Sequence, residues 1–405
     1  MGCADDNHHE NKPDPQALDE PMHTRPHARR EQLPNAETNH SDPPLVWLIL
    51  GDKHGDNGQA ERVAQALGWR FERKYVYMRE PYISGKPRVK ASLHHIDLSR
   101  SDSLEQPWPD LIITIGRRPC SVALWIREQS GGHSKIVLLG KPSGPIEWFD
   151  LVIASAENAL PPLPNVVFIT LPLMAIDADS IASAAEKWRP HFADLPRPLI
   201  GILVGGSTGT FVFNRAVVSQ LIKVAYDVIN ETAGTVCFIT SRRTPESAVA
   251  QLRERLPPGA RIFAWTPDAT SNPYRGFLAL ADSFVVTGDS ISMMVEVIHA
   301  GKPMAIFPVP VSGVGVIDQW RRAVVRSLFS NTGNDLVKKL RQPVANLLYR
   351  LRLATQTRDF LAFHRLLIDH GWAVSLGRDF PQPHEEIPND LPKVVAAIKS
   401  LFKSS

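Results

Sequence analysis

Phe284-Val285-Val286-Thr287-Gly288-Asp289-Ser290-Ile291-Ser292-Met293-Met294-Val295-Glu296 reads as a strand, a tight turn and the opening of a helix. Residues 283–287 form a short apolar run, as expected of a strand buried on both faces of a parallel sheet. Gly288-Asp289-Ser290 breaks the run. A helical periodicity then continues to Ala300, with Gly301 at the position after the helix where the left-handed conformation favours glycine. Asp289, Ser292 and Glu296 stand at i, i+3 and i+7, which places them on one polar face opposite Ile291, Met294, Val295 and Ile298. A carboxylate on that face can accept both hydroxyls of a ribose, while the helix start meets a diphosphate. A solvated surface stripe is the other meaning of the same spacing.

The same unit recurs on either side. Residues 199–204 predict a strand, 205–210 a Gly/Ser/Thr loop and 214–230 a helix. Strand 236–240 is followed by Ser241-Arg242-Arg243 and a helix near 245–256, strand 261–265 by a helix at 274–281, and a last strand covers 304–308. Earlier in the chain, strand 45–50 leads into Gly-rich 51–58 and a helix at 59–67. Strand 111–115 leads into Gly116-Arg117-Arg118 and a helix near 119–128, whose Pro119 suits a first turn. Further strands are expected at 136–139, 151–154 and 166–169. Strands alternating with helices predict βαβ units and parallel sheets. The expected fold class is α/β, with two Rossmann-like domains facing a cleft: residues 45–195 and residues 196–380, split at Pro196-Arg197-Pro198. Residues 381–405 form a C-terminal helix crossing back.

The rest of the composition sets boundaries. The chain has 405 residues, 43% hydrophobic and 21% charged, with a net charge of +3, so the overall charge does not argue for a nucleic-acid partner. Cys3, Cys120 and Cys237 are isolated and odd in number, with neither a disulfide framework nor a metal-ligand spacing. That fits a reducing, cytoplasmic compartment. No apolar run approaches the roughly 18 residues of a membrane span, and no secretory signal is visible. Residues 1–44 are polar, His- and Pro-rich and poor in large apolar side chains, and are read as a disordered tail. Residues 321–352 carry eight Lys or Arg against the single acid Asp335. They are solvated helix faces, or a surface for peripheral contact with the inner membrane and a lipid-linked acceptor.

In open parallel sheets ligands bind at the carboxyl ends of the strands. The loops expected there carry the candidates. Gly205-Gly206-Ser207-Thr208-Gly209-Thr210 lets backbone N–H groups approach an anion; with no Gly-Lys-Ser/Thr following, it is not a Walker A loop. Arg117-Arg118 and Arg242-Arg243 are paired cations at equivalent places in the two halves, suited to phosphate. In Gly51-Asp52-Lys53-His54-Gly55-Asp56-Asn57-Gly58-Gln59, Asp56 or His54 can serve as the general base that takes an acceptor proton, Asp56 being equally suited to a helix N-cap. Asp177-Ala178-Asp179 lies in a linker and is read as a chance match to a metal-binding Asp-X-Asp.

Taken together, these stretches resemble a known family. Gly51 to Gln59, Gly116-Arg117-Arg118, the run from Ala159 to Val166, Val204-Gly205-Gly206-Ser207, the run from Thr240 to Pro245, Asn272-Pro273-Tyr274 and the run from Val286 to Pro303 are similar to the Elm-type mitochondrial-fission proteins of plants and their bacterial relatives, described as glycosyltransferases. The last stretch is also similar to the donor-binding helix of GT-B enzymes such as the peptidoglycan-precursor N-acetylglucosaminyltransferase. There the ribose-binding Glu falls on Glu296, and the Gly-Gly-Ser loop on Gly205-Gly206-Ser207. The resemblance implies a nucleotide-diphosphate sugar as substrate, with no metal and no other cofactor. The Gly-rich first loop departs from that enzyme's Gly-Gly-His pattern.

The expected activity is transfer of a sugar to a lipid or surface-glycan acceptor. Gly206, Ser207, Thr208, Ser241, Arg242, Asp289, Ser290, Ser292 and Glu296 hold the donor, Arg117 and Arg118 the acceptor or a phosphate, and Asp56 or His54 acts as base. The alternatives are a non-catalytic adaptor of the Elm type on the same shell, or a nucleotide-sugar epimerase.

Overall fold

Val46-Trp47-Leu48-Ile49-Leu50 is buried at every position. Such a run needs cover on both faces, and it lies inside a six-stranded sheet with neighbours on each side. The structure is a computed structural model that describes residues 43–52, 54–83, 89–174, 177–208, 210–266, 272–313, 315–316, 357–380 and 386–403. Nearly all of the tail expected at 1–44 and the whole of the basic segment 321–352 therefore lie outside the described residues. From Pro43 onward the chain forms one unit.

The first half consists of β1 (Val46–Leu50), α1 (His54–Leu67), β2 (Phe71–Tyr75), α2 (Glu80–Ile83), β3 (Leu111–Ile115), α3 (Arg117–Gln129), β4 (Lys135–Leu139), β5 (Leu151–Ser155), the two-residue β6 (Asn158–Ala159) and β7 (Val166–Ile169). Its sheet runs β2-β1-β3-β4-β5-β7 with every pair parallel. After α4 (Ala178–Phe192) the second half follows: β8 (Leu199–Val204), α5 (Arg215–Thr232), β9 (Thr235–Thr240), α6 (Glu246–Glu254), β10 (Ala260–Phe263), α7 (Tyr274–Leu280), β11 (Ser283–Thr287), α8 (Ile291–His299), β12 (Met304–Phe307), β13 (Thr357–Arg358), α9 (Phe360–Asp369) and β14 (Val374–Ser375). That sheet runs β10-β9-β8-β11-β12-β14, again parallel. Counted within itself, the second sheet has the strand order 3-2-1-4-5-6 of dinucleotide-binding folds, and the first differs by lacking the outermost leading strand. The molecule is thus an α/β protein of two Rossmann-like domains.

Several details depart from the sequence reading. β2 was not expected, because Phe71-Glu72-Arg73-Lys74-Tyr75 is half polar. It is an edge strand, and side chains from a following loop cover its margin: Asp102 accepts the Tyr75 N–H at 2.7 Å, and Ser101 Oγ accepts the Tyr77 N–H at 2.9 Å. α4, a helix not named from the sequence, falls within residues 45–195 and packs on the second half, where the Phe192 ring lies 5.1 Å from Phe277 and 5.7 Å from Phe263. The last helix, α10 (Leu391–Ser400), packs on α1 of the first half. There Val394 and Ile398 are buried with Ala60, Val63 and Leu67, and Lys393 donates to the Phe168 carbonyl at 2.7 Å. A second link joins the halves: β13 pairs antiparallel with β6, and Asp359 N–H donates to the Glu157 carbonyl at 2.7 Å. No helix among the described residues is long and apolar enough to cross a membrane.

Candidate functional site

The strand order reverses between β1 and β3 in the first sheet and between β8 and β11 in the second, and the predicted loops sit at these two points. In the first half the turn after β1 is closed by Asn57, which is buried. Its Oδ1 accepts the Gly51 N–H at 3.2 Å, and its Nδ2 donates to the Gly51 carbonyl at 2.9 Å. Gly51 packs close to Pro119 of α3, so the turns after β1 and β3 lie side by side. α1 starts at His54, earlier than the sequence suggested, and Asp56 occupies its first turn rather than the N-cap. A carboxylate there is favoured by the helix dipole. Asp56 is half-exposed, whereas the His54 side chain is outside the described residues. Arg117 and Arg118 fall in the first turn of α3, where a positive charge opposes the dipole. The Arg118 carbonyl meets His95 Nε2 at 3.3 Å, and burial holds that imidazole below its ordinary value.

The second half is bound far more tightly. Thr287 Oγ1 accepts the Gly205 N–H at 2.8 Å, and Asp289 Oδ2 accepts the Gly206 N–H at 2.9 Å. Arg243 reaches the same Asp289 oxygen at 2.9 Å, although the Asp289 side chain is 0% exposed. Thr244 Oγ1 donates toward the Gly205 and Val204 carbonyls. The glycines are required here by close approach, not by a special φ. A Cβ on Gly206 would stand 1.9 Å from the Arg243 carbonyl oxygen, and one on Gly205 would stand 2.2 Å from the Asp289 carboxylate.

These contacts correct the expected polar stripe. α8 begins at Ile291, so Asp289 lies outside the helix. Its carboxylate turns inward to hold the Gly205-Gly206 loop and is not presented to a ligand. Ser290 is likewise buried, whereas Ser292 is exposed and Glu296 half-buried. In the loop itself Ser207 is exposed, and Thr208 Oγ1 accepts the Phe211 N–H at 3.1 Å, closing its own turn. Ser241 Oγ accepts the Arg243 N–H at 3.3 Å; both arginines are exposed, and Arg243 is the one tied to Asp289.

Glu296 forms the wall of a recess with Asp177, Ser180, Ile181, Tyr274 and Arg275. The buried Tyr274 hydroxyl donates to Glu296 Oε2. Burial raises the Glu296 carboxyl above the usual carboxylate range; the Tyr274 hydrogen bond and the Arg275 charge oppose that rise. Arg275 donates to Ser180 Oγ at 2.7 Å, and Asp177 caps α4 by accepting the Ser180 N–H at 3.0 Å. Capping accounts for Asp177 of the Asp-X-Asp sequence. The residues that sequence reasoning missed are Tyr274 as the Glu296 partner and Trp265, which is 39% exposed just beyond β10 with its N–H on Thr240 Oγ1 at 2.8 Å. An aromatic residue following a strand was the available signal for Trp265.

The two halves meet beside these turns. Arg62 of α1 donates to the Met174 carbonyl at 2.6 Å, and Met174 itself belongs to the apolar core of the second half. On α8, burial holds His299 below the ordinary imidazole value, and the charge of Arg62 adds to that lowering.

A family description, mitochondrial fission ELM1, matches residues 54–328, well over half of the chain. The chain belongs to the mitochondrial fission ELM1 family. Among curated relatives, the mitochondrial fission protein ELM1 of Arabidopsis thaliana is 28% identical over 233 residues, covering 52% of this chain and 54% of the plant protein. The chain thus spans about half the length of that ELM1 relative. The uncharacterized protein RP120 of Rickettsia prowazekii (strain Madrid E) is 23% identical over 302 residues, covering 65% of this chain and 83% of its own. Similar solved structures include a glycosyltransferase from Rickettsia africae ESF-5, with 11% identity, TM-score 0.41 and coverage of 82% of this chain and 98% of that one. The UDP-GlcNAc 2-epimerase of Methanocaldococcus jannaschii has 9% identity, TM-score 0.44 and coverage of 89% and 93%.

Proposed function

We propose that this ELM1-family chain transfers a sugar from a nucleoside-diphosphate sugar to an acceptor hydroxyl, with the donor on the second half and the acceptor against the first. The observation that carries the reading is Glu296, a carboxylate kept half-buried beside Tyr274 and Arg275 although burial disfavours its charge. A polar group retained against desolvation in a recess is a candidate ligand group. In this reading Glu296 accepts the ribose hydroxyls and Trp265 offers its exposed face to the base. The diphosphate rests against the exposed Ser207, through its N–H and hydroxyl, with Arg242 supplying positive charge. Asp289 and Arg243 act one step removed, by fixing the Gly205-Gly206 backbone.

Transfer breaks the bond between the anomeric carbon and the phosphate oxygen, and the leaving diphosphate keeps the electron pair. The acceptor oxygen forms the new bond, and its proton passes to the Asp56 carboxylate. The Ser207 N–H and the Arg242 guanidinium stabilise the charge on the departing diphosphate. A lipid or surface glycan is the acceptor class proposed.

Thermal-shift titration with UDP-, GDP- and ADP-sugars tests the donor assignment. One of them raises Tm, by mass action on the folded state. Glu296→Ala removes the shift; a retained shift refutes the ribose assignment, and a wild-type protein indifferent to every donor supports an adaptor. Product analysis with the bound donor separates transfer from epimerisation. Asp56→Asn abolishes turnover while the thermal shift survives; retained turnover moves the base elsewhere.

A further inference from the structure

α9 begins beyond residues 54–328, the stretch that the family description covers, yet it places a side chain on the central turn of the candidate donor site. His364 Nε2 stands 2.8 Å from the Gly288 carbonyl oxygen. A carbonyl can only accept, so this nitrogen carries the proton and the neutral ring is the Nε2–H tautomer. The other side of Gly288 is held as well, its N–H donating to the Phe307 carbonyl at 2.9 Å. A Cβ on Gly288 would lie 2.7 Å from His364 Cε1, so the glycine admits the imidazole. The next residue is Asp289, whose carboxylate holds Gly206. One chain of contacts therefore runs from α9 through the Thr287–Ser290 turn into the Gly-Gly loop.

We propose that His364 is a positioning residue, fixing the turn at Gly288 so that Asp289 sets the Gly205-Gly206 backbone in the register that receives a diphosphate. The ligand part of this proposal rests on the reading given above; the positioning part does not. Burial keeps His364 below the ordinary imidazole value, while the Gly288 hydrogen bond and the charges of Asp289 and Asp359 act in the opposite direction. The N-terminal end of α9 is tied to the first half, because Asp359 caps the helix through the Ala362 N–H at 3.0 Å while its own N–H is on the Glu157 carbonyl. The turn is consequently referenced to both halves of the molecule.

The test uses the full chain, His364→Ala and His364→Gln, with amide hydrogen exchange and titration by UDP. A net hydrogen bond of about 0.5–1.5 kcal/mol corresponds to about 2–10-fold in local opening. Exchange across 287–290 and 205–206 speeds up by that factor in His364→Ala and returns to the wild-type rate in His364→Gln, whose amide N–H reaches the same carbonyl. UDP affinity falls and recovers in parallel. Unchanged exchange at 287–290 in His364→Ala overturns the proposal. So does uniform acceleration through β11, β12 and α9 that Gln does not rescue, which marks His364 as packing. If the wild type binds no UDP, GDP or ADP, the donor reading fails, and the exchange pattern still decides whether His364 sets the turn.

Discussion

After β1, Asn57 folds back on Gly51 with one donated and one accepted hydrogen bond, and the glycines that follow have room: a Cβ on Gly58 would meet nothing within 4 Å. After β8, Thr287, Asp289 and Thr244 all hold the Gly205-Gly206 backbone, and a Cβ on either glycine would collide with its neighbours. Two turns at equivalent places in two similar sheets are therefore built to different tolerances. A cradle for a fixed group such as a diphosphate gains from being preformed, because less ordering remains at binding. A side that receives an acceptor can keep space.

Substitutions can break or sharpen this contrast. The largest effect is expected from Gly206→Ala, which forces the Arg243 backbone aside and costs about 3 kcal/mol or more, read as a fall in denaturation midpoint. Asp289→Ala comes next. It strips the Gly206 N–H and Arg243 of a shared partner and costs about 2–3 kcal/mol, less than a fully buried pair because Arg243 is 39% exposed. Asn57→Ala, the corresponding deletion in the first half, costs about 1 kcal/mol in the same denaturation experiment. If it costs as much as Asp289→Ala, the contrast fails. Gly58→Ala lies within α1 and has the opposite sign, raising stability by about 0.5–1 kcal/mol. The smallest effect belongs to Glu296→Gln. The folded carboxyl sits above its unfolded value, so the stability tied to its protonated form is complete below the unfolded value and is lost as pH rises through the folded one. Gln removes that loss. The variant's Tm advantage widens as pH climbs out of the ordinary carboxylate range; a pH-independent difference overturns the assignment.

The alternation of strands and helices was legible because parallel strands buried on both faces are written as unbroken apolar runs, as in β1, β8 and β11. β2 was hidden by its edge position, where one margin is closed by Ser101 and Asp102 from a distant loop. β13 and β14 have two residues each, too short for any periodicity to register. At the site, the places of the loops could be read but not the direction of their side chains. Asp289 looked like the first member of a ligand stripe, but it stands two residues ahead of α8, and its carboxylate turns inward to the Gly206 N–H, 83 positions away in sequence. The roles of Arg242 and Arg243 divide for the same reason. Tyr274 pairs with Glu296 across 22 positions of sequence, and His364 reaches Gly288 across 76. Neither approach is encoded in the neighbourhood of the residues concerned.

The docking of α10 on α1 has a consequence for biosynthesis. Val394 and Ile398 complete the apolar layer over one face of the first sheet, yet they leave the ribosome long after that sheet's strands have been made. A nascent chain arrested ahead of residue 391 leaves the patch around Ala60, Val63 and Leu67 without this cover, and the patch closes only when α10 emerges.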